Sequence, residues 1–406
     1  MSAKLTDDAG DTYTLSRLRR LSIPVIAGAL AALGPLSIDM YLPALPSLTK
    51  DLHASASLAQ LSLTACLLGL SLGQLLAGPQ SDIRGRRIPL LIGLLGYALS
   101  SLLAAFSPSI WALILLRFIQ GLAGSTGLVI SLAIVRDLFS GSEMTRFFAL
   151  LLLINGAGPV VAPVAGAQLL QITSWRGVFI ALSLAGIFMF VAVLFGLPET
   201  LPVQRRSKAG IVHTLSTFRV LLSDRAFIGF ALPQGLVMAA MFAYISGSPF
   251  VIQNIFGASP QLFSLFFATN ALGIIVAGQI TGRLAGKIKE TKLFVTGIGI
   301  ASIGGISLLV AILSGAGLTA ILPPLFLVVS SVGIVSTAGS SLAMQNYGHS
   351  AGSASALLGL LSLGFGAIVA PLVGLGGSYT ATPMGVVIAV AEIGAVLCYA
   401  IPRRRS

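Results

Sequence analysis

The sequence predicts an all-α membrane protein with 12 transmembrane helices in two pseudo-symmetric six-helix halves, and three observations lead there. The composition, 56% hydrophobic and 9% charged over 406 residues with a mean hydropathy of +0.98, lies far from the roughly one-quarter charged residues of a soluble domain. Apolar runs of about 20 residues recur along the whole chain, each long enough to cross about 30 Å of hydrocarbon as a helix. The third is an internal echo. Ala77-Gly78-Pro79-Gln80-Ser81-Asp82-Ile83-Arg84-Gly85-Arg86-Arg87 returns as Ala277-Gly278-Gln279-Ile280-Thr281-Gly282-Arg283-Leu284-Ala285-Gly286-Lys287, at an offset of 200 residues. The runs are continuously apolar, which favours helices over a barrel, whose strands are about 10 residues long and alternate apolar with polar.

Taken in order, the spans are predicted at 21–48, 57–80, 88–106, 109–135, 146–170 and 175–197, then 226–253, 260–282, 292–314, 318–343, 352–376 and 381–401. The first apolar run continues into a full-length span, so no cleavable secretory signal is expected. A polar linker, 198–225, carries Pro198, Pro202, Gln204, Arg205, Arg206, Ser207 and Lys208 and separates six spans from six. The organisation is therefore a leading segment 1–20, a first half 21–197, the linker, a second half 226–401 and a basic tail 402–406.

The charges orient this bundle. With both termini cytoplasmic, only Lys50 and Arg176 fall outside and Arg117 within a span, leaving the other 21 of 24 Lys and Arg on the inner side, as the positive-inside rule requires. The net charge of +12 then reads as inner loops facing anionic lipid, with no nucleic-acid partner implied. Cys66 and Cys398 lie in predicted spans without the neighbouring Cys or His of a metal site, and His53, His213 and His349 stand singly in loops. No Walker A loop, Ser-His-Asp grouping or metal motif is found. The expectation is a protein with no cofactor, no metal and no catalytic residues, not an enzyme.

Asp39 is the one acid in an otherwise uncharged run from Leu21 to Thr49. An ionised carboxylate near hydrocarbon costs roughly 2.5 to 3.5 kcal/mol on insertion scales, so such acids mark water-filled or proton-handling sites; the alternative is a structural hydrogen bond to a neighbouring helix. Measured from the outer ends of unbroken helices, Asp39 and Arg117 sit about 15 and 12 Å deep. That matching depth predicts an ion pair, direct or across water, with Gln120 one turn on extending the network. Glu392 is the other acid within a span, and a structural or snorkelling role is expected there ahead of a second proton site. Two homologous halves in parallel orientation are the build of transporters that rock around a central site.

Four motifs carry a family resemblance. Ser37-Ile38-Asp39-Met40-Tyr41-Leu42-Pro43-Ala44-Leu45-Pro46 lies in the first span. Gly78-Pro79-Gln80-Ser81-Asp82-Ile83-Arg84-Gly85-Arg86-Arg87 follows the second, with Gln80 and Ile83 where Leu and Arg are more frequent. Arg117-Phe118-Ile119-Gln120-Gly121-Leu122-Ala123-Gly124 lies in the fourth. Gly156-Ala157-Gly158-Pro159-Val160-Val161-Ala162-Pro163-Val164-Ala165-Gly166 lies in the fifth, with Ala167 where a second Gly is common. Over nearly its whole length the chain resembles the major facilitator superfamily (MFS fold), and within it the twelve-span drug:proton antiporters of the bicyclomycin and chloramphenicol resistance (Bcr/CflA) type.

The resemblance implies a monomeric, multi-pass protein of the bacterial inner membrane that exports drug-like small molecules against protons by alternating access. Asp39 and Arg117 would serve proton coupling. Asp39, Met40, Tyr41, Gln120, Met238, Tyr244 and Asn270 would face substrate, since Met and aromatic side chains make adaptable surfaces; Met241, Phe242 and Asn346 are further possibilities. Gly78, Asp82, Gly85, Arg86 and Arg87 would form a conformational latch, in which Asp82 pairs with a basic residue or caps a neighbouring helix. Gly156, Gly158, Pro159, Pro163 and Gly166 would let the fifth span pack closely and bend, for gating or for packing alone. The alternatives of another class are a proton-coupled uptake symporter or metabolite exporter of the same fold, and a membrane receptor without transport.

Overall fold

The computed structural model describes residues 4–6, 12–14, 17–139, 141–206, 218–345, 347 and 351–400. Asn346, His213, His349, Ser207, Lys208 and the 402–406 tail lie outside the described residues. A short antiparallel hairpin, β1 (Lys4–Thr6) and β2 (Thr12–Thr14), precedes the helices.

Among the described residues, twelve helical segments are long and apolar enough to cross a membrane. In chain order the helices are α1 (Arg17–Asp39), α2 (Leu45–Asp51), α3 (Ala56–Arg84), α4 (Arg87–Ala105), α5 (Ile110–Leu138), α6 (Gly141–Ile172) and α7 (Trp175–Gly196). They continue as α8 (Arg225–Phe250), α9 (Pro260–Leu284), α10 (Glu290–Leu313), α11 (Leu318–Met344), α12 (Ala351–Val373) and α13 (Thr382–Ala400). Several starts are fixed by capping. The side chains of Ser109, Ser174, Asp224 and Ser259 accept from the backbone N–H of Ala112, Arg176, Ala226 and Leu262, satisfying donors that a first helical turn leaves without partners.

The first span departs from its predicted form. The helix expected over 21–48 stops at Asp39; the chain turns, passes through a 3₁₀ segment at Leu42–Ala44 and re-enters a short helix, α2. Pro43 and Pro46 have no N–H to close α-helical hydrogen bonds in the turn after Asp39. Asp39 is therefore the last residue of α1 and not a mid-helix residue with ten more above it, and the depth count that assumed an unbroken helix fails.

Packing divides the chain into two units, one of Met1–Tyr41 with Leu68–Val212 and one of Leu42–Leu67 with His213–Ser406. In the first, α1 packs on α5, α6 and α7, and α4 on α5 and α7. In the second, α8 packs on α11, α12 and α13, while α11 also receives α9 and α10. The start of α3 belongs to this second unit. There Gln60 Nε2 donates to the Ser246 carbonyl at 3.0 Å, Thr64 Oγ1 to that of Ala367 at 3.1 Å and Ser57 Oγ to that of Pro371 at 3.2 Å. The echo survives folding, with α3 ending at Arg84 and α9 at Leu284, again 200 residues apart.

Candidate functional site

Asp39 closes α1 with its side chain buried, only 4% exposed, and no hydrogen bond or ion pair reaches its carboxyl group from any described residue. The last turn of a helix carries the negative end of its dipole, an unfavourable seat for a carboxylate. The fifth span holds this segment in place. A Cβ at Gly158 would overlap Pro35, and one at Gly166 would overlap the Met40 carbonyl, so the α6 backbone rests on α1 before Asp39 and on the turn after it. Pro159 and Pro163 lie inside α6, which continues through both, and Gly156 is half-buried.

Arg117 on α5 is fully buried. Its Nη1 donates to Gln120 Oε1 at 2.5 Å, and its guanidinium lies 4.6 Å from the Tyr41 ring centroid and 5.6 Å from that of Phe179. Gln120 Nε2 donates to Ser101 Oγ at 2.7 Å, Ser101 Oγ donates to the Tyr97 carbonyl at 2.6 Å, and the Tyr97 hydroxyl lies 2.8 Å from Ser37 Oγ. A polar chain thus crosses from α5 through α4 to α1, two residues short of Asp39. The direct form of the expected ion pair between Asp39 and Arg117 is absent from the structure. Because the first span breaks at Asp39, Arg117 meets the face of Tyr41 instead, a cation–π contact, and its Nε and Nη2 have no partner among the described residues.

The remaining substrate candidates belong to the second unit. The Tyr244 hydroxyl accepts from Asn270 Nδ2 at 2.9 Å, and the Tyr244 ring stacks on Phe267 with centroids 5.4 Å apart, so these two predicted residues are brought together. Met238 packs with Met241 against an apolar cluster that includes Val237, Phe294 and Val335. Glu392 on α13 is 0% exposed, which rules out snorkelling, and neither carboxyl oxygen has a partner among the described residues. Gly305 of α10 lies beside Ala389 and Glu392 of α13, and Ser302 Oγ donates to the Glu392 backbone carbonyl at 3.0 Å.

The loop between α3 and α4 holds a denser charge network than the motif alone suggests. Arg86 donates from Nε to Asp137 at 2.7 Å and from Nη1 to Asp82 at 2.5 Å and Ser81 at 2.8 Å. Burial opposes the charge on Arg86, but hydrogen bonds to Asp137 and Asp82 and their negative charges outweigh it and raise its pKa above the ordinary arginine value. Asp82 does pair with a basic residue, but the cap at the start of α4 comes from Glu199, which accepts from the backbone N–H of Arg86 at 2.8 Å and of Arg87 at 3.1 Å. Gly85 has φ of +87°, and a Cβ there would run into the Glu199 carboxylate. Arg87 Nη2 donates to the Leu194 carbonyl at 2.6 Å. Gly78 is less constrained, since a Cβ would meet only Val129 at 3.7 Å.

Asp137 and Glu199 escaped the sequence reading. The signal was present: each is an acid at the end of a span on the side where the basic residues gather, one beside Arg136 and the other beside Pro198.

Residues 27–371 match the family model of the Major Facilitator Superfamily. The chain belongs to that superfamily. Among curated relatives, YdgK of Bacillus subtilis (strain 168), an uncharacterized MFS-type transporter, is 46% identical over 95% of this chain and 96% of its own length. A bicyclomycin resistance protein homolog of Haemophilus influenzae is 28% identical over 92% and 94% of the two chains, and a chloramphenicol resistance protein of Pseudomonas aeruginosa 31% identical over 80% and 77%. The superfamily fold is matched by the crystal structure of a mutant of the nucleoside transporter NupG, with a TM-score of 0.75 at 14% identity over 94% of this chain and 98% of that one. The xylose transporter XylE from E. coli, in a partially occluded inward open conformation, gives 0.71 at 13% identity over 95% and 97%. The superfamily chain is thus a multi-pass membrane transporter whose relatives include antibiotic-resistance proteins.

Proposed function

We propose that the chain is a proton-coupled multidrug or antibiotic efflux transporter, a drug:H+ antiporter of the bacterial inner membrane with both termini cytoplasmic, working by alternating access. The observation that carries this reading is the Asp39 carboxyl group, buried and without a partner among the described residues at the break in the first span. A group engaged in a salt bridge would resist changing its charge; one without a partner is available to a proton or to a ligand. Asp39 takes a proton from the outside as drug leaves and returns it to the cytoplasm before drug binds again. Coupling follows from competition at one carboxyl group, and the membrane potential contributes about 2.3 kcal/mol per charge per 100 mV. Arg117, held by Gln120 and Tyr41, places a fixed positive charge in the same unit. Met40, Tyr41 and Gln120, with Tyr244 and Asn270, are the proposed substrate contacts; Met238 stays a weaker member of this set because it packs in an apolar cluster. The similarity to the two resistance proteins supports the drug class.

The test is uptake of labelled chloramphenicol and bicyclomycin into proteoliposomes of the full chain. An acid-inside pH gradient is expected to drive accumulation that a protonophore collapses, and Asp39→Asn, which keeps shape but cannot titrate, is expected to insert normally and lose it. Accumulation driven only by an acid-outside gradient would indicate symport. Normal uphill transport by Asp39→Asn would remove Asp39 from coupling, and accumulation of neither compound would overturn the drug class.

A further inference from the structure

A second site lies on the membrane face of the first unit. Between α3 and α4, with α5 beneath, runs an apolar groove of about 350 Å³. It exists because glycines bring the helices together at their backbones. Cβ atoms at Gly73 and Gly93 would collide with Ser125 and Thr126 of α5, so both flanking helices sit low on it, and Gly96 leaves the space beside Ala123 open. The walls are otherwise aliphatic, with Leu76, Ile92 and Ile119 among the exposed side chains.

Apart from Thr126, whose hydroxyl donates to the Ala123 carbonyl, the polar side chains gather at one end. Gln80 and Arg84 line the mouth on the last turns of α3, at the end where the basic loop residues predict the cytoplasm. Of the three arginines in that loop motif, Arg86 is bound to Asp137 and Asp82 and Arg87 to the Leu194 carbonyl. Arg84 is different: it is exposed and makes no hydrogen bond or ion pair with any described residue. Gln80, also exposed, makes none either. From Gly73 to Arg84 the groove follows α3 for about 16 Å, about half of the roughly 30 Å hydrocarbon core and so one leaflet deep.

We propose that this groove binds one acyl chain of an anionic glycerophospholipid, with the phosphate on Arg84 and Gln80. A permanently charged guanidinium matches a phosphate with parallel N–H donors. The aliphatic walls, open to the bilayer, suit an alkyl chain better than a water-borne ligand. The site is separate from Asp39 and does not depend on what the protein transports.

Photo-crosslinking of the full chain in nanodiscs tests this. The probe is phosphatidylglycerol bearing a diazirine in its acyl chain, diluted into phosphatidylcholine. Crosslinks are expected to map to the groove residues of α3, α4 and α5, and to be displaced by unlabelled phosphatidylglycerol but not by phosphatidylcholine. Arg84→Gln is expected to lower labelling about fivefold, equivalent to the roughly 1 kcal/mol that one basic residue gains at an anionic surface. Ala123→Phe, which fills the groove, is expected to abolish labelling there without changing labelling elsewhere. Should that variant fail to fold, the exposed Arg84 position still decides. Labelling spread evenly over the lipid-facing surface, equal labelling by a diazirine phosphatidylcholine, no effect of Arg84→Gln, or displacement by chloramphenicol but not by phosphatidylglycerol would overturn the proposal.

Discussion

Asp39 and Arg117 are both buried and ionisable, yet the structure treats them differently: Arg117 has partners for part of its guanidinium, whereas no described residue bonds the Asp39 carboxyl group. The guanidinium stacks on Tyr41 and donates to Gln120, so Tyr41 is a support for the charge as well as a substrate candidate. A cation–π contact is worth about 2 kcal/mol when desolvated. Tyr41→Phe, which keeps the ring, is therefore expected to retain more thermal stability in detergent than Tyr41→Ala, by at least about that amount. Equal behaviour of the two variants would show that the ring does not hold Arg117. Arg117→Ala is expected to abolish transport and Arg117→Lys to restore part of it, since Lys keeps the charge and loses the planar fork; full activity of the Ala variant would make Arg117 a tolerated charge. Asp39 was legible in the sequence because a single acid in an apolar run is conspicuous. Its missing partner was not, because counting depth by residue number presumes a continuous helix, and Pro43 and Pro46, placed inside the predicted first span, follow the end of one at Asp39. Glu392 shows the same limit: its position in the last span was plain, but its complete burial comes from packing against another helix, α10.

At the scale of elements, the contact of α6 with α1 positions the candidate site. The Gly- and Pro-rich stretch from Gly156 to Gly166 was readable as a motif, but its neighbour was not, since the sequence of one helix does not say which backbone it touches. Gly158 meets α1 at Pro35 and Gly166 the turn after it at Met40, where a methyl group has no room without moving the segment that carries Asp39. Gly166→Ala is accordingly expected to impair drug transport strongly while the protein still reaches the membrane. Gly78→Ala serves as the contrast. There the added methyl group meets Val129 at an ordinary 3.7 Å, and a helical alanine is favoured over glycine by up to about 1 kcal/mol, so transport is expected to persist with equal or higher thermal stability. Loss of transport in Gly78→Ala with normal expression would mean that this glycine is needed in a conformation other than the one described.

For the whole molecule, the span count, the two-repeat plan and the superfamily were all legible in the sequence, because hydrophobic length and the 200-residue echo need no tertiary knowledge. What the echo concealed is an asymmetry. Gly85 and Gly286 share a positive φ, +87° and +83°, so both loops make a left-handed turn. The acids are not repeated: Asp82 and Asp137 of the first repeat correspond at the 200-residue offset to Gly282 and Thr337 of the second, while Arg86 after Gly85 has Lys287 after Gly286 as its counterpart. The ionic seat is thus built on one repeat only, and within it the partners are unequal. The Arg86 and Asp137 side chains are 3% and 11% exposed, whereas that of Asp82 is 41% exposed. Removing one partner of a buried pair costs about 3 to 5 kcal/mol because the other charge is stranded, while an exposed pair is worth at most about 1 kcal/mol after screening. Asp137→Asn is therefore expected to lower the unfolding temperature clearly and Asp82→Asn hardly at all. If Asp82 nevertheless acts as a latch, its variant has to alter turnover and the labelling of single cysteines placed at either membrane face, in a background with Cys66 and Cys398 replaced, without that loss of stability. A ligand or substitution shifts a two-state equilibrium only by its differential free energy, so unchanged labelling and turnover in Asp82→Asn would leave it an ordinary loop charge, with Asp137 and Glu199 as the residues that hold Arg86 and the start of α4 in place.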